Sequence, residues 1–263
     1  MIAAYHYGGA MSEAAVTEAS RVPVHMRREG FDPVPELAEL RDAERVARIR
    51  TPFGLDAWLV TRHDDVREVL SDAARFSNAR LMLMRSPAMA ELDDAEIARM
   101  RAGNPLAFDP PEHTRLRRLL TPEFTVRRMR RLEPRIREIV DEHLDAMQRT
   151  GPPADLVADF ALPIPSLVIC ELLGVPYADR EGFQHRTGRL LDMSTPLDER
   201  KRLQVESRAY FTELVTREQA DPGEAMLGML VREHGDELST DELIGIAGLL
   251  LIAGHETTAN MLG

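Results

Sequence analysis

Apolar residues along the chain recur mostly at helical spacing. Ile136, Ile139, Val140, Leu144 and Met147 fall on one stripe and predict an amphipathic helix that opens at Pro134 and stops at Gly151-Pro152-Pro153. Pro33-Val34-Pro35 leads into a helix over about 36–44, and His63-Asp64-Asp65 opens another through Leu70. Between them, Arg45 to Ile49 and Ala57 to Thr61 alternate weakly and predict two short strands joined by a turn at 51–56. Further helices are expected at 164–173, 178–191, 198–219 and 224–234. Ser239-x-x-Glu242 is a capping box for a last helix that carries the apolar run Leu243 to Gly254. That run is too short to span a bilayer and reads as a buried core helix. Residues 77–107 are Met-rich, irregular and broken by proline and glycine, which predicts a long connection of the kind that often carries function. The fold class that follows is mainly α with a small β-sheet.

Composition narrows the classes. The 263 residues allow one large domain or two small ones, and 44% hydrophobic with 29% charged residues is ordinary for a soluble globular chain. Residues 1–20 lack a basic start followed by an apolar block, so they read as a disordered N-terminal extension rather than a secretory leader, with Met11 a candidate start. The single cysteine, Cys170, excludes an internal disulfide and fits a reducing cytoplasm. The net charge of −11 argues against nucleic acid as the main partner. Residues 115–137 run against that trend, with nine arginines facing Glu123 and Glu133, a local charge of +7. This stretch is either a solvated helix face or a docking patch for an acidic partner.

Two groups of residues could carry chemistry. Asp109-Pro110-Pro111-Glu112 predicts a helix start, with Asp109 as cap and the helix running to about Phe124. His113 and Arg117 lie four apart just inside it, so they share a face. They are either an exposed pair on a basic helix or a clamp for a carboxylate. The second group is Ala253-Gly254-His255-Glu256-Thr257-Thr258, an acid beside an alcohol in an apolar helix. The Thr257 hydroxyl can bond back to the carbonyl of Ala253, and Gly254 removes a side chain so that a ligand could approach the backbone. The result is either a polar notch in an apolar wall or a polar side turned to solvent or another helix. A metalloprotease helix is excluded, since Ala259 stands where the second histidine would be.

Together, Asp109-Pro110-Pro111-Glu112-His113-Thr114-Arg115-Leu116-Arg117-Arg118 and Ala253 to Thr258 resemble the bacterial cytochrome P450 family of haem-thiolate monooxygenases, with support from Trp58 to Val66 and Pro165 to Pro176. The resemblance covers the chain from about residue 21 and implies one P450 domain over 21–263, corresponding to the family's N-terminal part and incomplete. The cysteine loop that supplies the axial ligand, the Glu-x-x-Arg helix and most of the sheet would lie downstream. The resemblance further implies haem b as cofactor of the complete enzyme, with His113 and Arg117 on the propionates and Ala253 and Gly254 over its distal face. Thr257 would be the oxygen-site alcohol and Glu256 the proton relay. Cys170 matches an ordinary core position and not the axial ligand. Implied partners are O2, a small-molecule substrate bordered by 77–107 and 186–200, and a ferredoxin or flavodoxin docking on the Arg-rich 115–131 region, with no membrane. The parent activity would be monooxygenation, with this chain alone inactive. The alternatives are a terminated, degenerate or partner-dependent helical protein, or one half of a split enzyme.

Overall fold

A computed structural model describes residues 2–5, 24–43, 45–50, 56–79, 93–191 and 195–263. The chain forms two compact units, residues 1–91 and 92–263, and the boundary falls within the Met-rich connection of a stretch read from sequence as one domain over 21–263.

The first unit holds the strands β1 (Ile2–Tyr5), β2 (Arg28–Glu29) and β3 (Asp32–Pro33), helix α1 (Pro35–Ala43), strands β4 (Val46–Arg50) and β5 (Asp56–Val60), and helix α2 (His63–Ser71). β4 and β5 pair antiparallel, with Arg48 opposite Trp58 and its guanidinium 5.9 Å from the ring centre. Alternation does the sorting: Ala47 and Leu59 turn inward onto Leu37 of α1. The first residues are not a disordered extension throughout. Ile2–Tyr5 adds a third strand antiparallel to β5, because a short apolar segment can satisfy the free edge of that strand.

The second unit is helical: α3 (Asp94–Arg101), α4 (Glu112–Leu120), α5 (Val126–Thr150), α6 (Pro163–Leu173), α7 (Arg180–Leu191), α8 (Leu197–Ala220), α9 (Met226–His234) and α10 (Thr240–Leu262). A π-helical turn at Val157–Ala161 precedes α6. α10 lies in the middle, packed on α6 and α8 and touching α3, α7 and the π turn. Its Leu243, Ile246 and Ala247 are fully buried against Leu116 and Leu119 of α4, Cys170 and Leu173 of α6, and Leu214 and Val215 of α8. Each such leucine or isoleucine contributes roughly 1.5–3 kcal/mol by leaving water. Phe183, Tyr210 and Phe211 close one side of this core with ring centres 6.0–6.2 Å apart. Among the described residues no helix is long and apolar enough to cross a membrane.

Three expectations change here. Residues 93–107 are not irregular: Asp93 and Glu96 form a reciprocal capping box that opens α3, a signal of the same kind as the one read at Ser239. α5 does not open at Pro134 but passes through it from Val126. Its early turns are tied down by Arg128, which pairs with Glu123 and Glu233, so the bond lost at proline does not end the helix. α4 begins at Glu112, after two prolines that donate no hydrogen bond, and Asp109 is not its cap residue, although the Asp109 carbonyl accepts from His113 N–H at 3.0 Å.

Candidate functional site

The capping box predicted at the head of α10 is present. Ser239 Oγ accepts from Glu242 N–H at 3.2 Å, and Glu242 Oε2 accepts from Ser239 N–H at 2.8 Å. From there one face of the helix stays in the core through Leu251, His255 and Ala259. The opposite face is open and carries Ala253, Glu256 and Thr257, and Thr258 is exposed on the side nearer Leu251. Thr257 Oγ1 donates to the Ala253 carbonyl at 2.6 Å. With its proton committed to the helix, the hydroxyl oxygen keeps its lone pairs for a donor such as water. Ala253 and Met261 lie four residues before and after Thr257 on the same face, and Met261 is 86% exposed, so the alcohol is flanked by apolar surface.

Gly254 does something different from the expected opening for a ligand. A methyl there would lie 2.9 Å from Ile169 Cδ1 and 3.2 Å from Cγ1, so the missing side chain lets α10 close onto α6. The small residue that leaves the Thr257 face open is Ala253. His255, between Gly254 and Glu256, is 4% exposed with neither ring nitrogen hydrogen-bonded among the described residues, and Ser166 Oγ on α6 is also buried and unpartnered. Burial pushes the His255 imidazole below its ordinary value, partly opposed by the Glu256 carboxylate.

α4 carries the other pair. Leu116, Leu119 and Leu120 anchor it in the core, leaving His113 half-buried and Arg117 exposed on one face. Among the described residues neither side chain has a hydrogen-bond or ion-pair partner, so both donors are available to an added acceptor. The +7 segment is largely neutralised in the fold. Arg115, Arg118, Arg128, Arg135 and Arg137 are each paired with glutamate. Arg117, Arg127, Arg130 and Arg131 are exposed without such a partner among the described residues, beside exposed Phe124 and Val126.

The fold thus groups Ala253, Glu256 and Thr257 on one open helix face, and His113 with Arg117 on another helix. Between the two helices runs the ion pair Arg115–Glu242, at the first turn of α10. Eleven residues separate Glu242 from Ala253, about 16 Å along the axis. Arg115 and Glu242 escape sequence reading as a pair, because nothing local links residues so far apart.

Cys170 is fully buried in α6, and burial pushes its thiol up to about 12. At neutral pH it is a protonated core group and no thiolate ligand. Among the described residues no cluster of histidine, cysteine and carboxylate could hold a metal ion. A groove of about 770 Å³ in the second unit runs between α7 and α8 and is lined by Asp179, Arg186, Tyr210 and Arg217, among others. Tyr210 donates to Asp179 at 3.0 Å there and lies under the Arg186 guanidinium at 4.8 Å. None of the six candidate site residues lines it. The substrate-bordering segments expected at 77–107 and 186–200 lie partly outside the described residues, at 80–92 and 192–194.

No family model matches the chain. Individual proteins do. The chain is 50% identical over 242 residues to cytochrome P450 FAS1 of Rhodococcoides fascians, covering 92% of this chain and 61% of that protein. It is 40% identical over 246 residues to cytochrome P450 165B3 of Amycolatopsis orientalis, at 92% and 60% coverage. Among solved structures, P450 StaH from glycopeptide antibiotic A47934 biosynthesis superposes with a TM-score of 0.76 at 42% identity, over 92% of this chain and 60% of that one. The chain therefore spans about three-fifths of the length of the relatives it matches. With this identity and this superposition beside the motifs on α4 and α10, the chain belongs to the bacterial cytochrome P450 family.

Proposed function

We propose that this chain supplies the propionate-binding and oxygen-side helices of a haem-dependent monooxygenase acting on a small organic molecule. The observation that carries the reading is the open face of α10. An exposed carboxylate, Glu256, adjoins a hydroxyl, Thr257, whose proton is fixed on the Ala253 carbonyl at 2.6 Å. The available donors of His113 and Arg117 suit a group with carboxylates at one edge, and haem b fits that description. When bound, haem b supplies the redox chemistry by which O2, two electrons and two protons yield one inserted oxygen atom and one water. The side chains handle the protons. Thr257 Oγ1 accepts a hydrogen bond from water on the Ala253 side, and Glu256 takes a proton from solvent and passes it to that water. His113 and Arg117 fix the cofactor's edge. Arg127, Arg130 and Arg131 offer an acidic ferredoxin or flavodoxin a landing surface.

The 263 residues by themselves hold no thiolate, since Cys170 is their one cysteine and is buried and protonated. The chain alone is accordingly inactive in this reading. The test is a haemin titration followed in the Soret band, with reduction and CO at saturation. His113→Ala and Arg117→Ala each weaken binding roughly tenfold, the worth of one charge-assisted hydrogen bond. The CO complex lacks a thiolate-type band. Unchanged affinity in both variants refutes the grip, and a thiolate-type band refutes the reading of Cys170.

A further inference from the structure

Glu242 spends both of its carboxylate oxygens, and on different tasks. Oε2 accepts from Ser239 N–H at 2.8 Å and from Ser239 Oγ at 2.9 Å, which starts α10. Oε1 pairs with Arg115 Nη2. Arg115 is as fully used. Its Nη2 donates to Glu112 Oε1 at 2.6 Å, its Nε to the two Glu112 oxygens at 3.0 and 3.1 Å, and its Nη1 to the Glu237 carbonyl at 3.0 Å. One guanidinium therefore braces its own helix at Glu112, the turn before α10 at Glu237, and α10 itself at Glu242. A planar fork with several donors can hold three such directions at once, which an ammonium on a flexible stem does less well. The pair is partly shielded, with side-chain exposures of 31% and 16%.

The same turn of α10 is clasped from another side. A methyl on Gly103 would overlap the Glu242 carbonyl oxygen, and one on Gly245 would overlap the Ala102 carbonyl oxygen. Two glycines let the loop after α3 lie directly on the α10 backbone, so the helix cannot rotate or slide at this point without collision. The helix start is held rigidly, and α4 is referenced to that start through Arg115.

We propose that Arg115 is a positioning residue. Through Glu242 it sets where His113 and Arg117 stand relative to the Ala253–Thr257 face of α10. His113 and Arg117 are two residues on either side of Arg115 on a short helix, so a tilt of α4 about this brace moves both. The proposal rests on the function given above for the importance of that spacing. The brace itself does not.

The experiment measures the spacing directly. Spin labels are placed at the exposed positions Thr114→Cys on α4 and Asn260→Cys on α10, leaving the buried Cys170 unlabelled, and the inter-label distance distribution is recorded by pulsed electron resonance on the haem-free chain. Arg115→Ala removes the brace. Glu242→Gln removes its charge yet keeps an oxygen for the Ser239 N–H, so α10 retains its cap. Both variants broaden or shift the distribution, and Arg115→Lys restores it in part. Haemin affinity falls by about tenfold in Arg115→Ala and Glu242→Gln alike, the loss of one charge-assisted bond. An unchanged distribution in both folded variants overturns the proposal. So does an affinity loss in Arg115→Ala alone with the distance unmoved, since that marks direct ligand contact. Should the parent chain not bind haemin, the functional reading falls, and the distance data still decide the brace.

Discussion

Gly254→Ala separates two physical roles for the glycine in the acid–alcohol helix. If the glycine exists so that a ligand can approach, a methyl there meets no protein atom, and the variant gains helix propensity of about 1 kcal/mol. The structure predicts a collision instead, because the new methyl would sit 2.9 Å from Ile169 Cδ1 and 3.2 Å from Cγ1. Overpacking of this kind costs about 1–3 kcal/mol, so the net effect is a loss of roughly 0–2 kcal/mol. Ile169→Val deletes Cδ1 and by itself costs about 0.5–1.5 kcal/mol. In that background only the Cγ1 contact at 3.2 Å remains, so Gly254→Ala becomes neutral or stabilising by up to about 1 kcal/mol. The coupling between the two substitutions is thus favourable by about 1 kcal/mol or more, well above the scatter of additive sites. Urea unfolding of the four proteins, followed by far-UV circular dichroism, measures it. Additive effects, with Gly254→Ala stabilising on its own, would refute the packing argument.

Further expectations follow from single groups. His255 is buried and neutral, held below its ordinary 6.5 by desolvation, so the unfolded chain binds a proton more readily. Its contribution to stability is present above pH 6.5 and is lost as pH falls below it, by at most about 1.4 kcal/mol per pH unit. His255→Leu flattens the acid limb of the stability–pH curve, and an unchanged limb shows the imidazole to be partnered or exposed. Gly245→Ala drives a methyl into the Ala102 carbonyl and lowers the unfolding free energy by about 2 kcal/mol or more in a urea titration. A variant as stable as the parent contradicts the clasp. Cys170 resists iodoacetamide at pH 8 in the native chain and reacts in urea, as its burial and thiol near 12 require, and rapid native alkylation contradicts both. Reversing Arg127 and Arg131 to glutamate weakens binding of an acidic ferredoxin about tenfold at low salt, with the difference vanishing above about 0.5 M salt. An equal loss at all salt concentrations argues against an electrostatic landing surface.

The features legible in the sequence were those set by local rules. The capping box at Ser239 and Glu242, the Thr257 bond to the Ala253 carbonyl and the shared face of His113 and Arg117 all follow from spacings of three and four residues. Helix ends came within a few residues where a proline or glycine marks them, Pro134 excepted. The misses have long-range causes. Pro134 reads as a helix start, yet ion pairs from Arg128 to Glu123 and Glu233 hold the preceding turns in register. Gly254 reads as an opening because the sequence does not say that Ile169 fills the space. The basic segment reads as +7 because its neutralising partners, such as Glu171, Glu233, Glu237 and Glu242, lie far along the chain. α3 is the exception, since its Asp93-x-x-Glu96 box was available to the same rule that found α10.

The central claim is that His113 and Arg117 hold the carboxylate edge of haem, and it is tested most directly by neutralising those carboxylates. The chain is titrated with haemin and with its dimethyl ester, and both affinities are repeated in the His113→Ala, Arg117→Ala double variant. The account predicts that the parent prefers the free acid by about tenfold or more, and that the preference collapses in the double variant while ester affinity stays the same. An equal preference in both proteins would contradict it.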